Sequence, residues 1–159
     1  MANDKRNNAG DSPRENSRVR EVMTPDPQCV GADDSIQDAA RIMKNADTGV
    51  VPVVDGKKII GMITDRDIVV RLIAEGRNPQ ETRVNEAMTK SVRKVDEDAQ
   101  IADVVELMSN AQIRRVPVVN RNDELVGIVS LADLAAGTKV SDGKVGKAVE
   151  EISEGPGNN

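Results

Sequence analysis

A seven-residue pattern occurs twice in this chain, as Gly61-Met62-Ile63-Thr64-Asp65-Arg66-Asp67 and as Gly127-Ile128-Val129-Ser130-Leu131-Ala132-Asp133. Each copy has glycine, two apolar residues, a hydroxyl, two variable residues and aspartate. Each reads as the end of a buried strand turning into a helix. The hydroxyl falls at the N-cap, where its oxygen accepts a backbone N–H. The Asp falls in the first turn, where the helix dipole favours an anion. Two readings stand side by side. Thr64-x-x-Asp67 and Ser130-x-x-Asp133 fit a capping box, a purely structural device. A hydroxyl and a carboxylate beside free N–H groups at a helix start also suit a phosphorylated sugar. The hydroxyl and N–H groups would face phosphate and the carboxylate ribose hydroxyls.

The duplication runs well beyond these residues. Met23-Thr24 recurs as Met88-Thr89, 65 residues later. Ile36, Ala39, Ala40 and Met43 mark one face of an amphipathic helix, and Ile101, Val104, Val105 and Met108 repeat it at the same offset. Asp33, Asp34 and Ser35 are start signals for the first of these helices. Pro52-Val53-Val54 returns as Pro117-Val118-Val119. Gly127 follows Gly61 by 66, so the second hairpin loop, around Arg121-Asn122-Asp123, is one residue longer; loops absorb such insertions. Val50–Val54 and Lys58–Ile63 read as strands joined at Asp55-Gly56, a hairpin signal. Pro52 has no N–H, so that side of the strand is expected to be unpaired. After Thr64, the residues Ile68, Val69, Leu72 and Ile73 are predicted to face inward, with Gly76 and Pro79 ending the helix.

Each unit thus reads β-α-β-β-α, over residues 19–78 and 79–137. A unit of about 60 residues buries only about 60 % of its unfolded surface and is marginal alone. The two are expected to pack as one α/β (α+β) globule about a pseudo-two-fold axis, with related clefts between them. Residues 1–18 have the composition of a disordered tail. Residues 138–159 form an extension in which Val145, Val149 and Ile152 allow a short amphipathic helix.

Composition removes several functions. The chain has no His, so His-based general-base or metal-ligand chemistry is excluded. Its one cysteine, Cys29, can form neither an intrachain disulfide nor a cysteine metal cluster, and no His exists to activate it. No metal is expected. A net charge of -5 argues against a general nucleic-acid binder. No apolar run reaches membrane-spanning length and no secretory leader is visible, so a soluble cytoplasmic protein is expected. With no aromatic residue, a bound base must lie against aliphatic side chains and backbone.

Together these residues resemble a tandem pair of CBS (cystathionine-β-synthase) domains, the arrangement called a Bateman module. The resemblance rests on both Met-Thr pairs, both helical faces, both Pro-Val-Val strands and both Gly-x-x-[Ser/Thr]-x-x-Asp motifs, from Val19 to Ala136. It implies a small three-stranded sheet with two helices per unit. It also implies clefts for adenosine nucleotides such as AMP, ADP or ATP, or for NAD or S-adenosylmethionine. In that pattern Asp67 and Asp133 contact ribose, and Thr64 and Ser130 contact phosphate, giving two sites. The stretches Thr48-Gly49-Val50-Val51 and Ile113-Arg114-Arg115-Val116 would line base or phosphate, with Gln28 and Arg93 edging a base. Val51 and Val116 read equally well as core. Local cations separate the two sites: Arg66 stands beside the first motif, and Arg114 and Arg115 stand where the first unit has Gly49 and Val50. One cleft is therefore expected to gather Arg114 and Arg115 for a longer phosphate chain, and the other, with Gly49, to suit a base.

Three functions compete on this reading. The first is a regulatory module that binds nucleotide and signals through an unknown effector protein, without catalysis. The second is a hydrolase using Asp67 and Asp133, for which nothing in the sequence supplies the separation. The third is a dimerisation scaffold whose motifs are only caps. A homodimer is expected because Val70, Ile73, Leu134 and Ala135 exceed what one small sheet needs to cover.

Overall fold

The structure is a computed structural model in which residues 17–137 and 144–154 are described. The tail before Ser17, the stretch 138–143 and the final Gly155–Asn159 segment lie outside them.

The first repeat contributes β1 (Thr24–Pro25), β2 (Val30–Gly31), α1 (Ile36–Ala46), β3 (Val50–Asp55), β4 (Lys58–Thr64) and α2 (Asp65–Ile68). The second contributes β5 (Val95–Asp96), α3 (Ile101–Ala111), β6 (Arg115–Val119), β7 (Leu125–Ser130) and α4 (Leu131–Gly137), followed by α5 (Lys144–Glu154). Strands order as β2-β3-β4 in one sheet and β1-β7-β6-β5 in the other. Ser35 caps α1 through the Asp38 N–H at 3.1 Å, as its position predicts. β3 is a central strand although it contains Pro52. Its neighbour β2 reaches only Val53 and Val54, so the missing donor at Pro52 falls just beyond the parallel ladder.

The second sheet has a fourth strand because the segments that lead into the repeats are exchanged. β1 pairs with β7, Thr24 opposite Ile128 and Pro25 opposite Gly127. Reciprocally, Thr89 bridges Met62 of β4 through two backbone bonds of 3.0 and 2.8 Å. The exchange starts earlier in each lead-in. Ser17 accepts the Ile101 N–H at the start of α3, and Thr82, 65 residues later, accepts the Ile36 N–H at the start of α1. Val19 is fully buried in the core of the second sheet, with Ile101, Val104, Met108 and Val129. Val84 is fully buried in the first, with Ile36, Val51, Ile63 and Leu72. Each repeat therefore completes the other's core, and this reciprocity is the pseudo-two-fold relation.

The second helix of the first repeat departs from the predicted phase. After Ile68 it continues as a π-helical turn, Val69–Ile73, with the Ala74 N–H donating to the Val69 carbonyl at 2.9 Å. The wider turn breaks the 3.6-residue period. Leu72 is buried as expected, but Val69 and Ile73 point outward, 56 % exposed each, beside Val70 at 53 %. In the second repeat the counterpart surface is covered. α5 packs on α3 and α4 and buries Val149 and Ile152, leaving Leu134 wholly inaccessible and Ala135 half-buried. Leu134 and Ala135 are thus not outer apolar residues, whereas Val70 and Ile73 are.

Candidate functional site

Both seven-residue motifs close as capping boxes. At the first, the Thr64 N–H and hydroxyl donate to Asp67 Oδ2 at 3.0 and 2.8 Å, and the Asp67 N–H donates back to Thr64 Oγ1 at 3.1 Å. At the second, the Ser130 N–H and hydroxyl each reach Asp133 Oδ2 at 2.7 Å, and the Asp133 N–H returns to Ser130 Oγ at 3.1 Å. This geometry corrects the expectation of free N–H groups at the first helix start. The Asp65 N–H donates to the Gly49 carbonyl at 3.0 Å, the Arg66 N–H to Asp65 Oδ1 at 2.7 Å, and the Asp67 N–H to Thr64. The Thr64 proton is also spent on Asp67, so its oxygen can only accept further. Asp67 Oδ1 lies outside the box, 3.7 Å from Arg71 Nε. Arg71 also donates to the Ala87 carbonyl at 2.7 Å, tying the first motif to the second lead-in.

The crossing of that lead-in over β4 builds a cleft of about 590 Å³, within the usual range of small-molecule sites, about 300–1,000 Å³. Its wall has Gly49 and Val50 at the start of β3, then Met62, Thr64, Asp65 and Asp67. The lead-in adds Thr89, Ser91, Val92 and Arg93, and the stretch into β6 adds Ala111, Gln112, Ile113, Arg114, Arg115 and Pro117. Residues from both repeats thus meet in one place, with Arg93, Arg114 and Arg115 lining the same cleft as Asp65 and Asp67.

Of the sequence-predicted site residues, this cleft brings together Gly49, Val50, Thr64, Asp67, Arg93, Ile113, Arg114 and Arg115. Gly49-Val50 and Arg114-Arg115, expected in separate clefts, share this one, because both strand starts open toward the crossing lead-in. Val51 is fully buried among Val53, Ile63 and Leu72 in the first core, and Val116 lies likewise in the second. Arg66 and Gln28 are exposed and do not line the cleft. Ser130 and Asp133 sit half-buried at the start of α4, away from it. Sequence reasoning missed Asp65, Met62, Thr89, Ser91, Val92 and Gln112. The signal for the lead-in residues was present, since Thr89 belongs to the repeated Met-Thr pair. Asp65 carried none beyond its neighbours. Its carboxylate stands over Gly49, where a Cβ would come within 3.0 Å of Oδ2, so glycine there leaves room for the acid.

Cys29 is half-buried and donates its thiol to the Pro27 carbonyl at 3.1 Å. Burial raises its pKa above the usual thiol value, which disfavours the nucleophilic thiolate. No helix among the described residues is long and apolar enough to cross a membrane. No group of three or more His, Cys, Asp or Glu among them could hold a metal ion.

Comparison with known proteins bears on this geometry. The chain is 39 % identical over 141 residues to the uncharacterized protein YlbB of Bacillus subtilis, covering 87 % of this chain and 93 % of that one. It is 38 % identical over 118 residues to Hypoxic response protein 1 of Mycobacterium tuberculosis, covering 74 % and 82 %. The crystal structure of Hypoxic Response Protein I, with two coordinated zinc ions, superposes with a TM-score of 0.70 at 36 % identity, over 76 % of this chain and 98 % of that. The CBS domain pair of protein MJ0100, solved with 5-methylthioadenosine and S-adenosyl-L-methionine, superposes with a TM-score of 0.67 at 30 % identity, over 76 % and 98 %. The family description "CBS domain" matches twice, at residues 19–74 and 84–137. The chain belongs to the CBS domain family, as a tandem pair.

Proposed function

We propose that this CBS domain pair is a regulatory module that binds an adenosine nucleotide in the cleft between its repeats and signals through a partner protein, without catalysis. The observation that carries this reading is the convergence of Asp67 with Arg93, Arg114 and Arg115 on one cleft. The adenosine-type ligands of the MJ0100 pair support it. Since the Thr64 proton and the first-turn N–H groups are already bonded, the arginines supply the phosphate contacts, by charge-assisted and bidentate bonds. Asp67 Oδ1, outside its capping box, accepts from ribose hydroxyls. Val50, Met62, Val92 and Ile113 give the base an aliphatic bed. The second motif supports a weaker site around Ser130 and Asp133. There Gln28 stands at the 65-residue counterpart of Arg93, one cation fewer.

Bound nucleotide stabilises the folded state by mass action, by about 2.7 kcal/mol at a hundred times Kd. The melting temperature is therefore expected to rise with AMP, ATP or NAD, and calorimetry to give saturable heat for at least one. No heat and no shift with all three would remove the proposal. The closed capping boxes favour one second reading, a scaffold whose motifs are caps alone, and the same titration separates the two.

Self-association through the uncovered face of Val69, Val70 and Ile73 is part of the proposal. Light scattering at micromolar concentration is expected to give the mass of a homodimer. Val70→Glu with Ile73→Glu, at exposed positions, is expected to give a folded monomer. A wild-type monomer with and without nucleotide would refute it.

A further inference from the structure

Arg114 belongs to two places at once. It lines the cleft, yet its Nη2 donates to the carbonyls of Ile152 and Ser153, at 3.3 and 3.4 Å, in the last turn of α5. Its backbone is fixed independently, because its carbonyl accepts the Leu131 N–H at 2.8 Å at the start of α4. The side chain can therefore change partner without moving its strand. The first repeat has no such link. Gly49 holds the counterpart position, and among the described residues no helix covers the helices there, their Val69, Val70 and Ile73 being exposed.

We infer that α5 is a ligand-responsive strap: a phosphate-bearing ligand in the cleft competes with the last turn of α5 for the Arg114 guanidinium, and so loosens α5 from α3 and α4. The inference rests on reading the cleft as a nucleotide site. The two carbonyls satisfy the guanidinium only through long bonds, though the negative end of the helix dipole favours it. A phosphate offers full charge and fork-matched geometry, so it wins the exchange. What remains holding α5 is the burial of Val149 and Ile152, which keeps the helix docked but with less protection. Loosening uncovers the apolar side of α3 and α4 that α5 shields, so occupancy of the cleft changes the surface presented to a partner protein. Linkage makes the effect reciprocal: α5 weakens the ligand by the factor by which the ligand weakens α5.

Hydrogen exchange of the full chain, read on the 144–154 segment with ATP as probe and calorimetry on the same sample, tests this. Saturating ATP is expected to speed exchange in α5 about three- to ten-fold, with α1 unchanged, the scale of losing one weak charged hydrogen-bond pair. Arg114→Ala is expected to speed it by a similar factor without ATP, and ATP then to add nothing. Ile152→Ala, which weakens docking from the other side, is expected to tighten ATP binding. ATP that binds while α5 exchange is unchanged or slowed would overturn the strap and leave the cleft reading intact. An Arg114→Ala variant with wild-type α5 exchange would overturn it without reference to any ligand. Failure of ATP to bind the wild type would remove the cleft reading and the competition together.

Discussion

Replacing Asp67 by Asn is expected to weaken nucleotide binding in the cleft about 10- to 150-fold, the range of losing a hydrogen bond to a charged group worth about 1.5–3 kcal/mol. The capping box explains why stability should barely move. Oδ2 carries the bonds from the Thr64 N–H and hydroxyl, and the single oxygen of Asn can take that place. What Asn gives up at this first-turn position is the negative charge that the helix dipole favours, worth about 0.3–1 kcal/mol. The change falls on Oδ1, which becomes an amide donor facing Arg71 and any ribose hydroxyl. Removing a carboxylate also relieves repulsion of an anionic ligand, an opposing effect limited by screening at this partly exposed site. Asp133→Asn makes the same change in the same box but outside this cleft, so it is expected to leave the tighter site unaltered. Calorimetry on the three proteins decides between the readings of the motif. Normal binding in both variants with much lower melting temperatures would leave capping as its whole role.

The parts of the molecule legible in the sequence are those with local causes. The helix faces at Ile36–Met43 and Ile101–Met108 follow from a 3.6-residue apolar period; Ile101, Val104, Val105 and Met108 are all buried in α3, and Ile36, Ala39 and Met43 in α1, where Ala40, at the edge of the face, is exposed. Asp55-Gly56 places the hairpin, with Gly56 at φ 61°. The hydroxyl and Asp of each motif close a box because both partners lie within one turn. The exchanged lead-ins had no such signal. β1 and the Met62–Thr89 bridge are at most two residues long, and what holds them is the burial of Val19 and Val84 in the opposite core, a tertiary fact. The same exchange decided which strand starts share a cleft, and so put Gly49 and Arg115 together. The π-helical turn was hidden too, since Val69 and Ile73 fit the ordinary helical period as apolar residues. α5 was legible as a helix from Val149 and Ile152, but not as the cover that buries Leu134.

Gly127→Ala and Gly61→Ala are expected to destabilise the fold by about 1–3 kcal/mol each, the usual cost of overpacking a filled position. Strand propensity alone predicts the opposite sign, because glycine in a strand is weaker than alanine. Packing decides. A Cβ on Gly127 would lie 2.5 Å from Met23 Sδ and 3.0 Å from the Thr24 carbonyl oxygen. On Gly61 it would lie 2.7 Å from Met88 Sδ and 3.1 Å from the Thr89 carbonyl oxygen. The glycine of each motif therefore exists to let the Met-Thr pair of the other repeat cross over it, which joins two repeated sequence features into one contact. The thioether can swing aside; the carbonyl can move only with its strand, which the bonds between Met62 and Thr89 hold in place. Met23→Ala added to Gly127→Ala should accordingly restore part of the stability and not all of it. At about 2–4 °C per kcal/mol for a chain of this size, thermal melting resolves the single and double variants. The two glycines should differ in function. Gly61→Ala shifts Thr89, which lines the cleft with Arg93, and so should weaken nucleotide binding as well as stability. Gly127→Ala shifts Thr24, which does not line it, and should melt earlier while binding normally. Equal loss of binding in both would mean that the cleft responds to global loosening, and not to the strand that crosses Gly61.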